Sequence, residues 1–217
     1  MNLLITGATG MVGSELLRQA ITDDDVSSII ALSRKPPDIQ HPKLRTVIHK
    51  DFLDYTAFSS LFADCDVCAW CLGVSQLQVS KEDYYVITYD YTMAAAKAML
   101  AANPKICFVF VSGEGADQSG KAKTLFGRVK GQAEKDLVAL PFRKLIIARP
   151  GGIQPMTKNS RAPFLYKIFY SFYPVFKILT PSKVITSIEL AKAILLAAKT
   201  KTGKILLDNK GLKYLLK

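Results

Sequence analysis

Three glycines near the start of the chain have the spacing that a phosphate-binding turn requires. They are Gly7, Gly10 and Gly13 in Met1-Asn2-Leu3-Leu4-Ile5-Thr6-Gly7-Ala8-Thr9-Gly10-Met11-Val12-Gly13. A short apolar run precedes them, and a helical pattern follows with Leu16, Leu17 and Ala20 on one face. Gly7 permits a tight turn, Gly10 lets backbone approach a phosphate, and Gly13 lets the helix pack closely on the strand. Free N–H groups at the helix start, with the helix dipole, favour an anion. Strand, glycine turn and helix in that order predict a site for a dinucleotide pyrophosphate.

The end of the second predicted strand selects between dinucleotides. An NAD site places a carboxylate there for the ribose 2′-hydroxyl. Here Ile29-Ile30-Ala31-Leu32 runs into Ser33-Arg34-Lys35. A cationic fork beside a hydroxyl suits a 2′-phosphate, which a carboxylate would repel. NADP(H) is therefore expected in preference to NAD(H). Asp51-Phe52 follows the third predicted strand. Its carboxylate is placed either to accept from an adenine amino group or to cap a helix.

Cys65, Cys68 and Cys71 repeat every third residue, which raises the question of a metal. Asp66 to Leu72 reads as a buried strand, however, and residues three apart on a strand point to opposite faces. Cys68 and Cys71 then cannot share an ion, and neither His41 nor His49 has a zinc-type partner, so no metal is expected. Four thiols and no export signal ahead of the first strand point to a reducing compartment, read here as the cytoplasm.

The elements that must position these residues alternate along the chain. Strands are expected near 2–6, 28–33, 45–49, 66–72, 106–112, 143–148 and 203–207. Helices are expected near 11–21, 55–62, 84–101, 125–139 and 187–199. Such alternation predicts an α/β fold, a doubly wound parallel sheet with helices on both faces. Phe108-Val109-Phe110-Val111 is apolar without a break, as in a strand buried on both sides. The chain reads as a single domain over 1–217, with 151–186 as a small helical lobe. Gly151-Gly152 and Pro155 end the sheet pattern there, and seven aromatic residues fall within 164–176. That segment reads as core packing of the lobe, as a substrate-facing lid, or as a membrane or partner surface. Lys167 and Pro174 interrupt it and it is too short to span a bilayer.

The chain has 217 residues and a formal net charge of +11, which suits anionic ligands or simply a solubilising surface. No interleaved aromatic and basic recognition motif is present, so nucleic acid is not an expected partner. A small-molecule substrate and a monomer or homodimer are expected, with at most a weak membrane-surface contact.

Further along, Cys71-Leu72-Gly73, Val111-Ser112, Arg128-Val129-Lys130-Gly131 and Arg149-Pro150-Gly151 follow the glycine turn and Ser33-Arg34 in order. With them the chain resembles an atypical or extended short-chain dehydrogenase/reductase, a Rossmann family that includes NAD-dependent epimerases and dehydratases. Within it, the resemblance is strongest to small oxidoreductases related to the human Tat-interacting protein. It implies a cofactor held by Gly7, Thr9, Gly10, Met11, Val12, Gly13, Ser33, Arg34, Asp51, Phe52, Cys71, Leu72, Gly73, Lys130, Pro150, Gly151 and Ile153. It also implies a Ser–Tyr–Lys catalytic site, with Ser112 polarising a carbonyl and Lys130 on the nicotinamide ribose. The tyrosine position holds Phe126, and no tyrosine occurs between Ser112 and Leu165. Tyr84, Tyr85, Tyr89 and Tyr91 are either surrogate acids or packing residues, and Glu114 and Asp117 are either acids or loop residues. An NADP(H)-dependent oxidoreductase is expected, or alternatively a non-catalytic NADP(H)-binding sensor.

Overall fold

The computed structural model describes residues 1–156, 179–201 and 203–217. The apolar runs form β1 (Asn2–Thr6), β2 (Ser28–Ser33), β3 (Leu44–Ile48), β4 (Val67–Trp70), β5 (Cys107–Val111) and β6 (Lys144–Ala148). Two short strands follow, β7 (Gly152–Gln154) and β8 (Val184–Thr186), and then β9 (Lys204–Leu207). The main sheet is seven-stranded, parallel at every pairing, with the order β3-β2-β1-β4-β5-β6-β9. The chain winds outward from β1 in one direction, then returns to β4 and winds outward in the other. The crevice outside the carboxyl ends of β1 and β4 is the switch point where such sheets bind ligands.

The helices are α1 (Met11–Thr22), α2 (Ser59–Ala63), α3 (Lys81–Tyr85), α4 (Tyr91–Ala102), α5 (Leu125–Ala139), α6 (Ser187–Lys199) and α7 (Asn209–Tyr214). They cover both faces because successive strand residues point to opposite sides. Leu3, Ile5, Val109 and Ile146 pack with Leu16, Leu17, Leu190 and Ile194 of α1 and α6. Leu4, Trp70, Phe108 and Phe110 pack on the other side with Phe62, Met99 and Leu137 of α2, α4 and α5. Strands sandwiched in this way read as unbroken apolar runs.

Caps set several boundaries. The side chain of Thr124 accepts from the Gly127 amide at the start of α5, and Thr186 and Glu189 form a reciprocal capping box at the start of α6. The helix expected over 84–101 begins earlier, at Lys81, because the Ser80 hydroxyl accepts from the Asp83 amide at 3.0 Å. A π-helical turn over Val86–Asp90 then joins α3 to α4.

The region 151–156 differs from expectation. It does not simply end the sheet: β7 pairs in parallel with β8 as a second, two-stranded sheet. Three residues per strand are too few for a period to register in the sequence. The aromatic stretch 164–176 lies outside the described residues, and so do Lys167 and Lys177. The described edges of that region are pinned by Asn209, a buried residue at the start of α7. Its Oδ1 accepts from the Gly151 amide at 2.9 Å, and its Nδ2 donates to the carbonyls of Ser182 at 2.8 Å and Val184 at 3.2 Å.

Asn209→Ala leaves these backbone groups without partners in a buried setting. It should destabilise the fold by about 1–3 kcal/mol, read as a lower urea midpoint at unchanged slope. An unchanged midpoint would contradict the pinning role.

Candidate functional site

Gly7 leaves β1 with φ +65°, a left-handed conformation that favours glycine. A Cβ there would also meet the Cys71 carbonyl oxygen at 2.6 Å. The turn therefore lies against the backbone that leaves β4, at the switch point. The Leu72 amide donates to Thr6 Oγ1 at 3.3 Å and the Gly10 amide to the Gly7 carbonyl at 2.8 Å, which fixes the two loops together. A Cβ on Gly13 would collide with the Gly7 carbonyl, so α1 starts directly on the turn. Gly10 is the N-cap and supplies no side chain, and the first turn of α1 carries no acid. Thr9 and Gly10 are exposed and Met11 and Val12 half-buried, so the helix start is open to an anion. Cys71 and Leu72 are half-buried and Gly73 is exposed beside it.

At the end of β2, Ser33 is buried and its hydroxyl donates to the Lys35 carbonyl at 2.6 Å. Arg34 is exposed, and among the described residues it has no ion pair. After β3, Asp51 is exposed and its carboxylate accepts from the Leu53 amide at 3.0 Å. Phe52 is a core residue, stacked on Tyr91 at 5.7 Å between ring centres. It presents backbone rather than side chain to any ligand.

The carboxyl end of β5 carries the reactive groups. Lys130 is buried on α5, its Nζ donates to the Val111 carbonyl at 2.9 Å, and it lies 4.5 Å from the Phe110 ring centre. Burial pushes its pKa down to about 8, against the opposing pull of Glu134 and Cys71. Burial drives the Cys71 thiol the other way, up to about 12, with the Lys130 charge opposing it. Ser112 is buried, and its hydroxyl donates to Glu134 Oε1 at 2.5 Å. Glu134 is fully buried, accepts from Gln118 Nε2 at 3.0 Å and is gripped by the Arg149 guanidinium. Phe126 packs beside Ser112. A Cβ on Gly113 would meet its Cζ at 2.7 Å, so the ring rests on the backbone next to Ser112. The Phe126 amide donates to Gln76 Oε1 at 3.0 Å, tying α5 to the loop after β4.

The remaining candidates are dispersed. Pro150 is buried and its carbonyl accepts from the Glu114 amide at 2.8 Å. Gly151 donates to Asn209, and Ile153 packs from β7 against the α1–α6 core. Glu114 forms an ion pair with Lys183, and Asp117 accepts from its neighbour Ser119. Tyr84 is buried, Tyr85 and Tyr89 pack at 5.0 Å, and the Tyr89 hydroxyl donates to Asp136 at 2.6 Å. That bond is the main reason its pKa rises to about 12.

All four cysteines are free, and among the described residues no cluster of three metal-ligating side chains occurs. No described helix is long and apolar enough to cross a membrane. Glu134 is the site residue that the motifs did not reveal. Its one sequence signal is its position four residues after Lys130, on the same helix face.

A family model described as NAD(P)H-binding matches residues 7–154. The chain belongs to this NAD(P)H-binding family. It is similar to the protein "FMP52, mitochondrial" of Candida albicans (strain SC5314 / ATCC MYA-2876), at 32% identity over 164 residues, 74% of this chain and 70% of the relative. The protein of the same name from Eremothecium gossypii is 30% identical over 178 residues, covering 78% and 77%. Among solved structures, "MoeE5 in complex with UDP-glucose and NAD" superposes with a TM-score of 0.72 at 14% identity, covering 96% of this chain and 75% of that one. At that identity the likeness shows the fold alone, a doubly wound Rossmann-type sheet. The relatives' names overturn the cytoplasmic location expected for this NAD(P)H-binding chain. Free thiols persist wherever the surroundings are reducing, so cysteine usage could not single out the cytoplasm.

The lowered Lys130 pKa has a consequence for stability. Below about pH 8 the folded chain bears the cost of a buried charge. Between about 8 and the ordinary 10.5, it sheds a proton that the unfolded chain keeps, so stability rises with pH. Lys130→Met removes this dependence. Urea unfolding should favour the variant over the wild type more at about pH 7 than at about pH 10. A difference constant with pH would contradict the buried, charged lysine.

Proposed function

We propose that the chain is an NADP(H)-dependent oxidoreductase that moves hydride between the nicotinamide and a small carbonyl or conjugated substrate. One observation carries this reading. The open glycine turn at β1 and the buried pair Ser112 and Lys130 stand at the same edge of one parallel sheet. The cradle suits the dinucleotide, because side chains at positions 7 and 13 would fill the space that the backbone needs. The amides at the start of α1 would hold the pyrophosphate. Arg34 is the exposed cation that would take the 2′-phosphate, and Asp51 is the exposed carboxylate that would accept from the adenine amino group. Lys130 keeps donors beyond the one given to Val111 and would reach the ribose hydroxyls. NADPH, when bound, supplies the hydride. Support for a mitochondrial setting comes from the relatives' names.

Phe126 favours a second reading, a sensor that binds NADP(H) without turnover. Phenylalanine preserves the packing against Gly113 and provides no proton.

Calorimetric titration should give tighter binding of NADPH than NADH, with a preference of ~1.5–3 kcal/mol that Arg34→Ala removes. Equal affinities in the wild type would contradict the assignment of Arg34. Phe126→Tyr should raise NADPH-dependent aldehyde reduction and leave NADPH affinity unchanged. No turnover by either form across a broad carbonyl panel, alongside tight NADPH binding, would favour the sensor, whereas a wild type already at ordinary reductase rates would show that another acid serves.

A further inference from the structure

The hydroxyl of Ser112 has one proton, and that proton is directed at Glu134 Oε1, 2.5 Å away. Gln118 and Arg149 supply the remaining hydrogen bonds to this fully buried carboxylate. Every donor around Glu134 is thus turned inward, and the carboxylate itself only accepts. Ser112 is then left with lone pairs alone to offer a ligand. In this state it cannot donate to a ketone oxygen. It can accept from an alcohol.

We propose that Ser112 and Glu134 form a two-proton relay that performs the acid–base work left vacant at Phe126, and that the resting site is set to receive a secondary or primary alcohol. This rests on the oxidoreductase reading above. In the oxidation direction, the C–H bond of the carbinol breaks and its hydride reduces NADP⁺. The alcohol proton passes to Ser112 Oγ as the Oγ–H proton passes to Glu134, which becomes a carboxylic acid. The products are carbonyl compound, NADPH and one proton, which Glu134 passes back through Ser112 to solvent once the carbonyl product has left. Reduction is the reverse: protonated Glu134 recharges Ser112, which donates to the nascent alkoxide. Ser112 touches substrate and is the catalytic residue. Glu134 acts through it and is a positioning and proton-storing residue. Arg149 holds the carboxylate in an ion pair, and Gln118 fixes its second oxygen.

The test compares wild type, Glu134→Gln, Phe126→Tyr and the double variant with NADPH and 4-nitrobenzaldehyde, a carbonyl whose reduction requires a proton at oxygen. NADPH affinity and the urea midpoint are measured for each. The relay predicts a loss of ~10²-fold or more in Glu134→Gln with NADPH affinity retained. It further predicts that the double variant recovers to within about tenfold of Phe126→Tyr, because a tyrosine makes the relay dispensable. A merely structural glutamate gives no such rescue, and an active Phe126→Tyr with an inactive double variant would overturn the proposal. So would an unchanged rate in Glu134→Gln, or a wild type that fails where Phe126→Tyr succeeds; in these cases the oxidoreductase reading stands. Failure of both wild type and Phe126→Tyr overturns the two together. If Glu134→Gln does not fold, the proton inventory of wild-type turnover in mixed light and heavy water decides, with 4-deuterated NADPH confirming that hydride transfer limits the rate. Two protons in flight give a curved inventory, and a straight line overturns the relay.

Discussion

Two backbones meet at the centre of the sheet with no room for a side chain between them. Gly7 leaves β1 with positive φ, and the space where its Cβ would stand is taken by the Cys71 carbonyl leaving β4. Gly13 presses α1 onto the same turn from above. The contact sets the width of the crevice at the switch point and brings the uncapped start of α1 to its floor. A substituent at either glycine must move a strand, a helix or both. Such displacements are costly because Leu3, Ile5, Leu16 and Leu17 are fully packed beneath them. The proposed anion site would therefore be a product of core packing, and its preorganisation would need no charged side chain.

The neighbouring end of β5 is organised on a different basis. Lys130, Glu134 and Arg149 bring three charges together, two of them buried. Removing Glu134 would leave the Arg149 and Lys130 cations uncompensated, which is far more destabilising than the intact group is stabilising. Phe110 beneath Lys130 offers its ring face as a partial substitute for water. Glu134 is the hub because α5 places it one turn beyond Lys130, while β6 delivers Arg149 from the opposite side. The same geometry that satisfies the charge commits the proton of Ser112. The Ser112, Glu134 and Arg149 side chains form one hydrogen-bond network, and the Phe126 ring packs beside it against Gly113.

Much of this was legible in the sequence. Unbroken runs such as Phe108-Val109-Phe110-Val111 announce a doubly covered parallel sheet, and seven of the strands fall within two residues of expectation. The glycine turn could be read because a backbone requirement leaves only one residue type. The short strands β7 and β8 could not, since three residues carry no period and their pairing depends on Asn209, more than twenty residues from either. Glu134 was hidden for a related reason. A buried carboxylate on a helix looks like any solvated one until its partners, Ser112 and Arg149 at the ends of two other strands, are brought to it. Asp51 and Phe52 show the converse: adjacent residues at a recognisable position separate into an exposed carboxylate and a core ring.

The central claim is that the crevice between β1 and β4 holds a dinucleotide with its pyrophosphate on the first turn of α1. Amide NMR of the uniformly labelled chain, titrated with NADPH, tests it most directly. The account predicts the largest shifts at Gly7, Gly10, Met11, Val12 and Gly13, with smaller ones at Arg34 and at Leu72 and Gly73. Saturable binding that leaves the residue 7–13 amides unmoved, or no binding at all, would contradict it.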